Sequence, residues 1–377
     1  MRLALLLSLA AAAGAQSLPQ MQNSHTIESF RGISAVSRNI AWASGTHGTY
    51  LRTTNAGRTW TPAQIPDAIT LDFRAVVAFS AHEAFLMSAG PGVQSRIYHT
   101  ADAGQHWQLQ FTNTNPKGFF DSMTFSDPKH GIVLGDPIPD ETGKLKFELL
   151  MTDDGQTWHQ LPPAQLPEAQ EGEGAFAASN SCIAILHWWK SGASAPREAS
   201  WKSGPLGPRQ APVNNRASAP DPNIWFATGG KSARVFHSPD HGKTWEVFNT
   251  PILHSPDSAG IFSVAFRDAL HGVIAGGDYR HPKDDGPNLA FTQDGGKTWE
   301  LSTIHPQAYF SAVAYDSKVH DRVLVVAQAF LLDVRAPHNP RRISPNKPPD
   351  TAFNAIAPIP EGGAFVVGTK GTITRVP

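Results

Sequence analysis

The chain has 377 residues, with 31 Lys plus Arg against 32 Asp plus Glu and a formal net charge of -1. That balance gives no electrostatic reason to expect nucleic acid or an anionic membrane surface as a partner. With 32 Gly, 31 Pro, 10 Trp and 20 Phe, the composition suits many short strands joined by turns, and a single all-β unit can reach this length.

Residues 1–15 read as a secretory signal: Arg2, an apolar stretch LALLLSLAAAA, and the small-residue site Ala13-Gly14-Ala15 before Gln16. The apolar stretch is too short to span a bilayer, and no later segment reaches ~18 uninterrupted apolar residues. The expectation is therefore a secreted or periplasmic chain, soluble and monomeric after signal removal, with one domain over residues 16–377. LPQMQNSHTIESF precedes the first repeat and is expected to close the fold by pairing with the C-terminal FVVGTKGTITRVP.

From Phe30 onward the chain repeats. Seven runs open on an aromatic: FRGISAVS at Phe30, FRAVVAFS at Phe73, FDSMTFSD at Phe120, FAASNSCIAI at Phe176, FSVAFRD at Phe262, FSAVAYD at Phe310 and FNAIAPI at Phe353. Each is followed by a second apolar run, such as IAWASG or GVIAGGD, and most by a third, such as TYLRT or LAFT. In five units a turn and a short fourth run come next. Those turns carry Asn55, Gly57 and Trp60; Asp102, Gly104 and Trp107; Asp153, Gly155 and Trp158; Asp240, Gly242 and Trp245; and Asp294, Gly296 and Trp299. The tryptophans are separated by 47, 51, 87 and 54 residues. Four short strands per ~50 residues, seven times over, predict an all-β, seven-bladed β-propeller of four-stranded blades.

The 87-residue spacing contains a stretch without alternation, 187–222, rich in Pro, Ser, Gly and Arg and carrying Trp188, Trp189 and Trp201. Removing it leaves 51 residues, the spacing of its neighbours, so it reads as an extruded loop, disordered in large part. The single cysteine, Cys182, excludes an intramolecular disulfide and reads as a buried small hydrophobe.

The turn chemistry is legible. An Asp or Asn side chain accepts backbone N–H groups two residues on, Gly takes the positive φ, and Trp offers an apolar plate to wedge between blades. A residue repeated at each blade is a turn holder rather than an active site, and Asn55 shows that charge is dispensable. The five turns resemble the Asp-box, or bacterial neuraminidase repeat, with pattern S/T-x-D-x-G-x-T-W. Within Asp-box propellers the chain is most similar to the photosystem II stability/assembly factor group and its secreted relatives. FRGISAVSRNIAWASGTHGTYLRTTNAGRTW carries the likeness best. The resemblance implies a seven-bladed, non-catalytic scaffold with its boxes on the rim away from the ligand face.

A binding face is expected at one mouth of the central channel. The candidates are Arg31, Arg74 and Asp121, each one residue after its unit's aromatic, with Asp136, Glu173, Asp278 and Tyr279 in nearby loops. The partner would be a protein, or a small polar or glycan ligand. The alternative is a glycoside hydrolase using Asp121 with Asp136 or Glu173, since paired carboxylates suffice for acid–base work. Phe30-Arg31-Gly32-Ile33 only partly matches the sialidase F/Y-R-I/L-P segment. A generic oxidoreductase reading finds no cofactor motif, because GPGVQS at Gly90 has no helical pattern after it. No cofactor or metal is expected; His281, Asp284 and Asp285 read as solvated hairpin charges.

Overall fold

The computed structural model describes residues 19–186, 223–303, 306–335, 340–343, 345 and 347–377. The expected signal, 1–15, and the insertion, 187–222, lie outside the described residues. The described chain is a seven-bladed β-propeller of four-stranded antiparallel blades. The innermost strands, blades 1 to 7, are Phe30–Ala35, Asp72–Ala78, Phe120–Phe125, Ile183–Ile185, Ala259–Phe266, Phe310–Tyr315 and Phe353–Pro358.

The second strands are continuous apolar runs for a physical reason. Ala41–Gly45 and Ala84–Ala89 are buried at each position, because a neighbouring blade covers either face and no side alternates with water. The outermost strands, such as Thr61–Gln64 and Gln108–Thr112, are largely exposed. Seven apolar clusters each join one blade to the next, the last joining blade 7 to blade 1 through Phe365, Ile373, Leu51 and Trp60. The ring is closed as expected: Gln20–Gln22 supplies the outer strand of blade 7, with Gln20 opposite Arg375 and Gln22 opposite Ile373.

The five tryptophan turns share one hydrogen-bond pattern. In blade 2 the Thr100 hydroxyl donates to Asp102 Oδ1 at 2.9 Å and accepts the Gly104 N–H at 3.0 Å. Asp102 Oδ1 also accepts the His106 N–H, four residues on rather than two, at 2.9 Å. That backbone bond holds the Asp102 carboxyl down at about 2. Asn55, Asp240 and Asp294 accept the corresponding N–H from Thr59, Thr244 and Thr298, each at 2.9 Å.

Blade 3 corrects the sequence alignment. Asp154, not Asp153, accepts the Thr152 hydroxyl and the Thr157 N–H, at 3.1 and 2.7 Å. Its Thr-to-Trp spacing is one residue shorter. Accordingly only Gly155 takes positive φ there, where the other turns place two successive residues in that region, such as Ala103 and Gly104. Aligning on Trp158 shifted the carboxylate by one, and Asp153 is left exposed.

A second correction concerns blade 4. The run FAASNSCIAI was expected to be its inner strand, but only Ile183–Ile185 pairs with Ile224–Ala227. Upstream, Glu173 and Gly174 pair with Gly230 and Gly229. Residues 175–182 therefore stand opposite just Ala227 and Thr228, and the excess chain leaves the sheet. Gly229 in turn pairs with Gly260 of blade 5, where a Cβ on Gly260 would meet the Gly229 Cα at 2.3 Å. Only glycine permits that approach.

Candidate binding site at the channel mouth

Six blades carry a β-bulge near the start of the innermost strand, at Arg31, Arg74, Asp121, Phe262, Ser311 and Asn354. A bulge inserts an unpaired residue and re-aims its side chain. The sequence placed Arg31, Arg74 and Asp121 at equivalent positions. It missed Phe262, Ser311 and Asn354, although the same rule, one residue past the aromatic, finds Ser311 after Phe310 and Asn354 after Phe353. In blade 5 the rule slips, because Ile261 occupies the aromatic's place and Phe262 is itself the bulged residue.

Blade 4 offers no bulged side chain. It sends residues 175–182 into the ring instead, where they contact five other blades. Arg31 Nη1 donates to the Ala178 carbonyl at 3.5 Å and Arg74 Nη1 to the Ala177 carbonyl at 3.1 Å. Asp136 Oδ1 accepts the Ala175 N–H at 3.1 Å, and Asp121 accepts that of Ala177. Asn180 Oδ1 accepts the Met123 N–H at 2.7 Å, with Asn180 at φ 57°. Ser179 donates to the Ser311 carbonyl at 2.6 Å, and Ser181 to the Ser263 hydroxyl at 2.8 Å. Phe176 stacks on Phe262 with centroids 3.9 Å apart. A segment that reaches blades 1, 2, 3, 5 and 6 from blade 4 must cross the propeller axis. It is a plug.

The charges around it are strongly biased. Arg31 lies beside Arg74, and burial followed by that like charge lowers its pKa. Arg74 is paired with Asp72 at 2.8 Å, a partner the sequence reading did not name. Asp121 is 1% exposed, and its Oδ2 has no hydrogen-bond partner among the described residues. Burial, then the neighbouring Asp136, pushes its pKa well above the ordinary carboxyl value. Burial also lifts Asp136 to about 6 and raises Glu148, which Asn113 partly offsets with a 2.8 Å hydrogen bond. The carboxyls come together because Phe120, Gly135 and Glu148 align across the blade, with Asp121 and Asp136 at the adjoining bulges. Desolvation disfavours the charged form, and the Arg74 charge, which works to lower the Asp121 pKa, does not compensate for it.

The remaining candidates sit differently. Glu173 is buried beside blade 4's own strands, ion-paired with Arg234 and accepting the Thr228 hydroxyl at 2.6 Å. Asp278 accepts the Arg280 N–H at 2.9 Å and contacts His281 at 2.8 Å; these bonds, against the opposing effect of burial, lower its pKa. Tyr279 is 42% exposed and edge-on to Phe262 at 6.1 Å, which also meets Tyr309. Arg31, Arg74, Asp121, Asp136 and Tyr279 thus surround one plugged mouth, with Glu173 and Asp278 tied into neighbouring structure. Cys182 is fully buried, and burial raises its thiol pKa. Among the described residues no group of three or more His, Cys, Asp or Glu side chains is arranged to hold a metal ion.

No protein-family model matches the chain. No curated protein matches it in sequence. Solved structures do. The chain is similar to YCF48 bound to a D1 peptide, at 17% identity and TM-score 0.60, covering 96% of this chain and 97% of that one. It is similar to YCF48 from Cyanidioschyzon merolae at 15% identity and TM-score 0.59, covering 96% and 99%. A GH74 xyloglucanase from Xanthomonas campestris follows at 14% identity and TM-score 0.59, over 94% of this chain and 53% of the enzyme. At these identities the likeness is one of fold, a ring of seven four-stranded blades that this chain shares with YCF48.

Proposed function

We propose that this protein is an exported, non-catalytic propeller that serves as a protein-binding scaffold, with its binding face at the plugged mouth. The observation that carries this reading is that the mouth already grips polypeptide. Arg31 and Arg74 hold main-chain carbonyls, while Asp121 and Asp136 hold main-chain N–H groups. Groups aimed at backbone suit an extended peptide of tolerant sequence. Arg31 and Arg74 are half-buried and Tyr279 exposed, so a partner can add to the plug's outer side. The peptide-bound YCF48 structure supports a peptide as the ligand class. We read the tryptophan turns as Asp-box repeats with a structural role, and residues 1–15 as a leader that takes the chain out of the cytoplasm.

The hydrolase alternative needs two carboxyls facing a sugar. Asp121 and Asp136 instead carry the plug's N–H groups, and Glu173 is taken up by Arg234 and Thr228. The test is affinity capture from an envelope extract. Tyr279→Ala, and separately Arg31→Ala with Arg74→Ala, are each expected to cut recovery of the same partner about tenfold. Glycoside turnover by the purified protein, lost on Asp121→Asn, would transfer the site to hydrolysis.

A further inference from the structure

Five of the seven junctions between blades are filled by an indole from the turn before the outermost strand. Trp60 packs between blades 7 and 1, Trp107 between 1 and 2, Trp158 between 2 and 3, Trp245 between 3 and 4, and Trp299 between 4 and 5. In blades 3 and 5 the indole stands edge-on to an aromatic four residues past the bulge. Trp158 meets Phe125 at 5.6 Å and 88°, and Trp299 meets Phe266 at 6.1 Å and 77°. Trp60 and Trp158 donate their N–H to Gln22 and Gln110, on the outermost strand of the preceding blade, at 2.9 and 3.0 Å.

Blade 6 breaks the series. Between its third strand, Leu331–Arg335, and its outermost strand, Pro340–Ile343, the sequence reads Ala336-Pro337-His338-Asn339, without tryptophan. The receiving ring is nevertheless kept: Tyr315 lies four residues past the Ser311 bulge, where Phe125 and Phe266 lie in their blades. At this junction there is a cleft of about 410 Å³. Phe291, Leu301, Tyr315, Val323 and Val334 form its apolar lining, and Glu300 of blade 5's outermost strand stands on its wall.

We propose that the cleft between blades 5 and 6 receives an aromatic side chain, a tryptophan before others, presented by a protein partner. The indole enters edge-on to Tyr315 with its N–H directed at the Glu300 carboxylate, reproducing from outside what Trp158 does from within against Phe125 and Gln110. Side-chain chemistry favours a peptide-borne indole over a free amino acid. The basic groups of the lining are already engaged, Arg267 by Asp268 and the His320 carbonyl and His271 by Asp268, so a free carboxylate would be buried unpaired beside Glu300 and Asp321, which is costly. A peptide-borne indole brings a large neutral surface and one donor. The cleft lies beside the turn residues Gln293, Thr298 and Asp321, apart from the plugged mouth, so it stands or falls independently of the scaffold reading.

The test titrates the full chain with a short Gly-Ser peptide carrying one central tryptophan and with its alanine counterpart, followed by amide and methyl NMR shifts. Saturable binding is expected for the tryptophan peptide, with shifts at Phe291, Leu301 and Tyr315. The alanine peptide should bind at least about tenfold more weakly. Tyr315→Leu should weaken binding about threefold to tenfold, the range of an aromatic pair. Glu300→Ala, which removes the acceptor at an exposed position, should weaken it further, and Leu301→Trp should abolish it by filling the space. Equal binding of both peptides, no saturation, or indifference to Tyr315→Leu and Glu300→Ala would overturn the proposal. So would tenfold tighter binding by a chain lacking 187–222, which would give the cleft to the protein's own tryptophans.

Discussion

Blades 7 and 1 meet across an indole, whereas the junction of blades 6 and 7 adds to its apolar cluster a buried ion-pair network of blade 6 that reaches blade 7's main chain. Trp60 is 2% exposed, edge-on to Phe365 at 5.8 Å and hydrogen-bonded to Gln22. At the other junction Arg322, 8% exposed, reaches Asp316 at 3.0 Å, Asp333 at 3.1 Å and the Pro377 main-chain oxygen at 2.8 Å. Asp316 also accepts the Gly363 N–H of blade 7 at 3.2 Å. An indole stabilises by area and tolerates a small shift of its neighbours. A buried guanidinium stabilises only while each of its partners is in place. The contrast is between a forgiving junction and a brittle one.

The largest effect is expected at the brittle junction. Arg322→Met leaves buried Asp316 without its cation and Asp333 with only Arg335, at 3.5 Å, and should lower unfolding free energy by about 4 kcal/mol in urea denaturation. Adding Asp333→Leu should return part of that loss, since an apolar pair costs less than an orphaned charge. If the double variant is as unstable as the sum of the singles, the network is not what holds blades 6 and 7 together. At the forgiving junction, Trp60→Ala should cost about 3 kcal/mol through a cavity between blades, and hydrogen exchange should show Gln20–Gln22 opening first.

The acidic residues under the plug extend the comparison to a site where burial outweighs the charge of nearby Arg74. The folded-state pKa of Asp136, about 6, lies above the ordinary carboxyl value, so the native state holds more protons than the unfolded chain between about pH 4 and 6. Stability from this group is present at low pH and declines as pH rises through about 6. Asp136→Asn keeps the acceptor for the Ala175 N–H and should therefore stabilise the protein at pH 7.5 by on the order of 1–3 kcal/mol, with no gain at pH 4. A gain that does not depend on pH would assign the effect to packing instead of ionisation.

The smallest effect separates two adjacent carboxylates. Asp154→Ala removes the acceptor for the Thr157 N–H in the turn that delivers Trp158, and should lower Tm by a few degrees. Asp153→Ala should leave Tm unchanged in the same calorimetric scan. The reverse ranking would restore the alignment drawn on tryptophan alone.

Legibility followed locality. The period, the blade count and the turn residues Asn55, Asp102, Asp240 and Asp294 were readable because each depends on neighbours a few residues away; the closing strand, distant in sequence from its partner, was readable from the count of runs in the last unit. Asp153 failed where one residue was missing from a turn, a change that spacing from Trp158 could not reveal. Arg31, Arg74 and Asp121 were found by position. Their partners in the plug were not, because AFAASNSC carries no pattern that distinguishes an inner strand from a chain crossing the axis. Tyr315 was visible as part of an alternating run, but the cleft beside it depends on what a later turn of the same blade omits and on the wall that blade 5 supplies.

By itself, the sequence determined the repeating unit: apolar alternation and turn chemistry act over a few residues and are written wherever the chain must bend or bury a face. Only the tertiary structure decided what occupies the centre of the ring and which junction, among the described residues, is left with a cleft. Those outcomes are set by side chains brought together from blades distant along the chain, through hydrogen bonds and close packing that no local window contains.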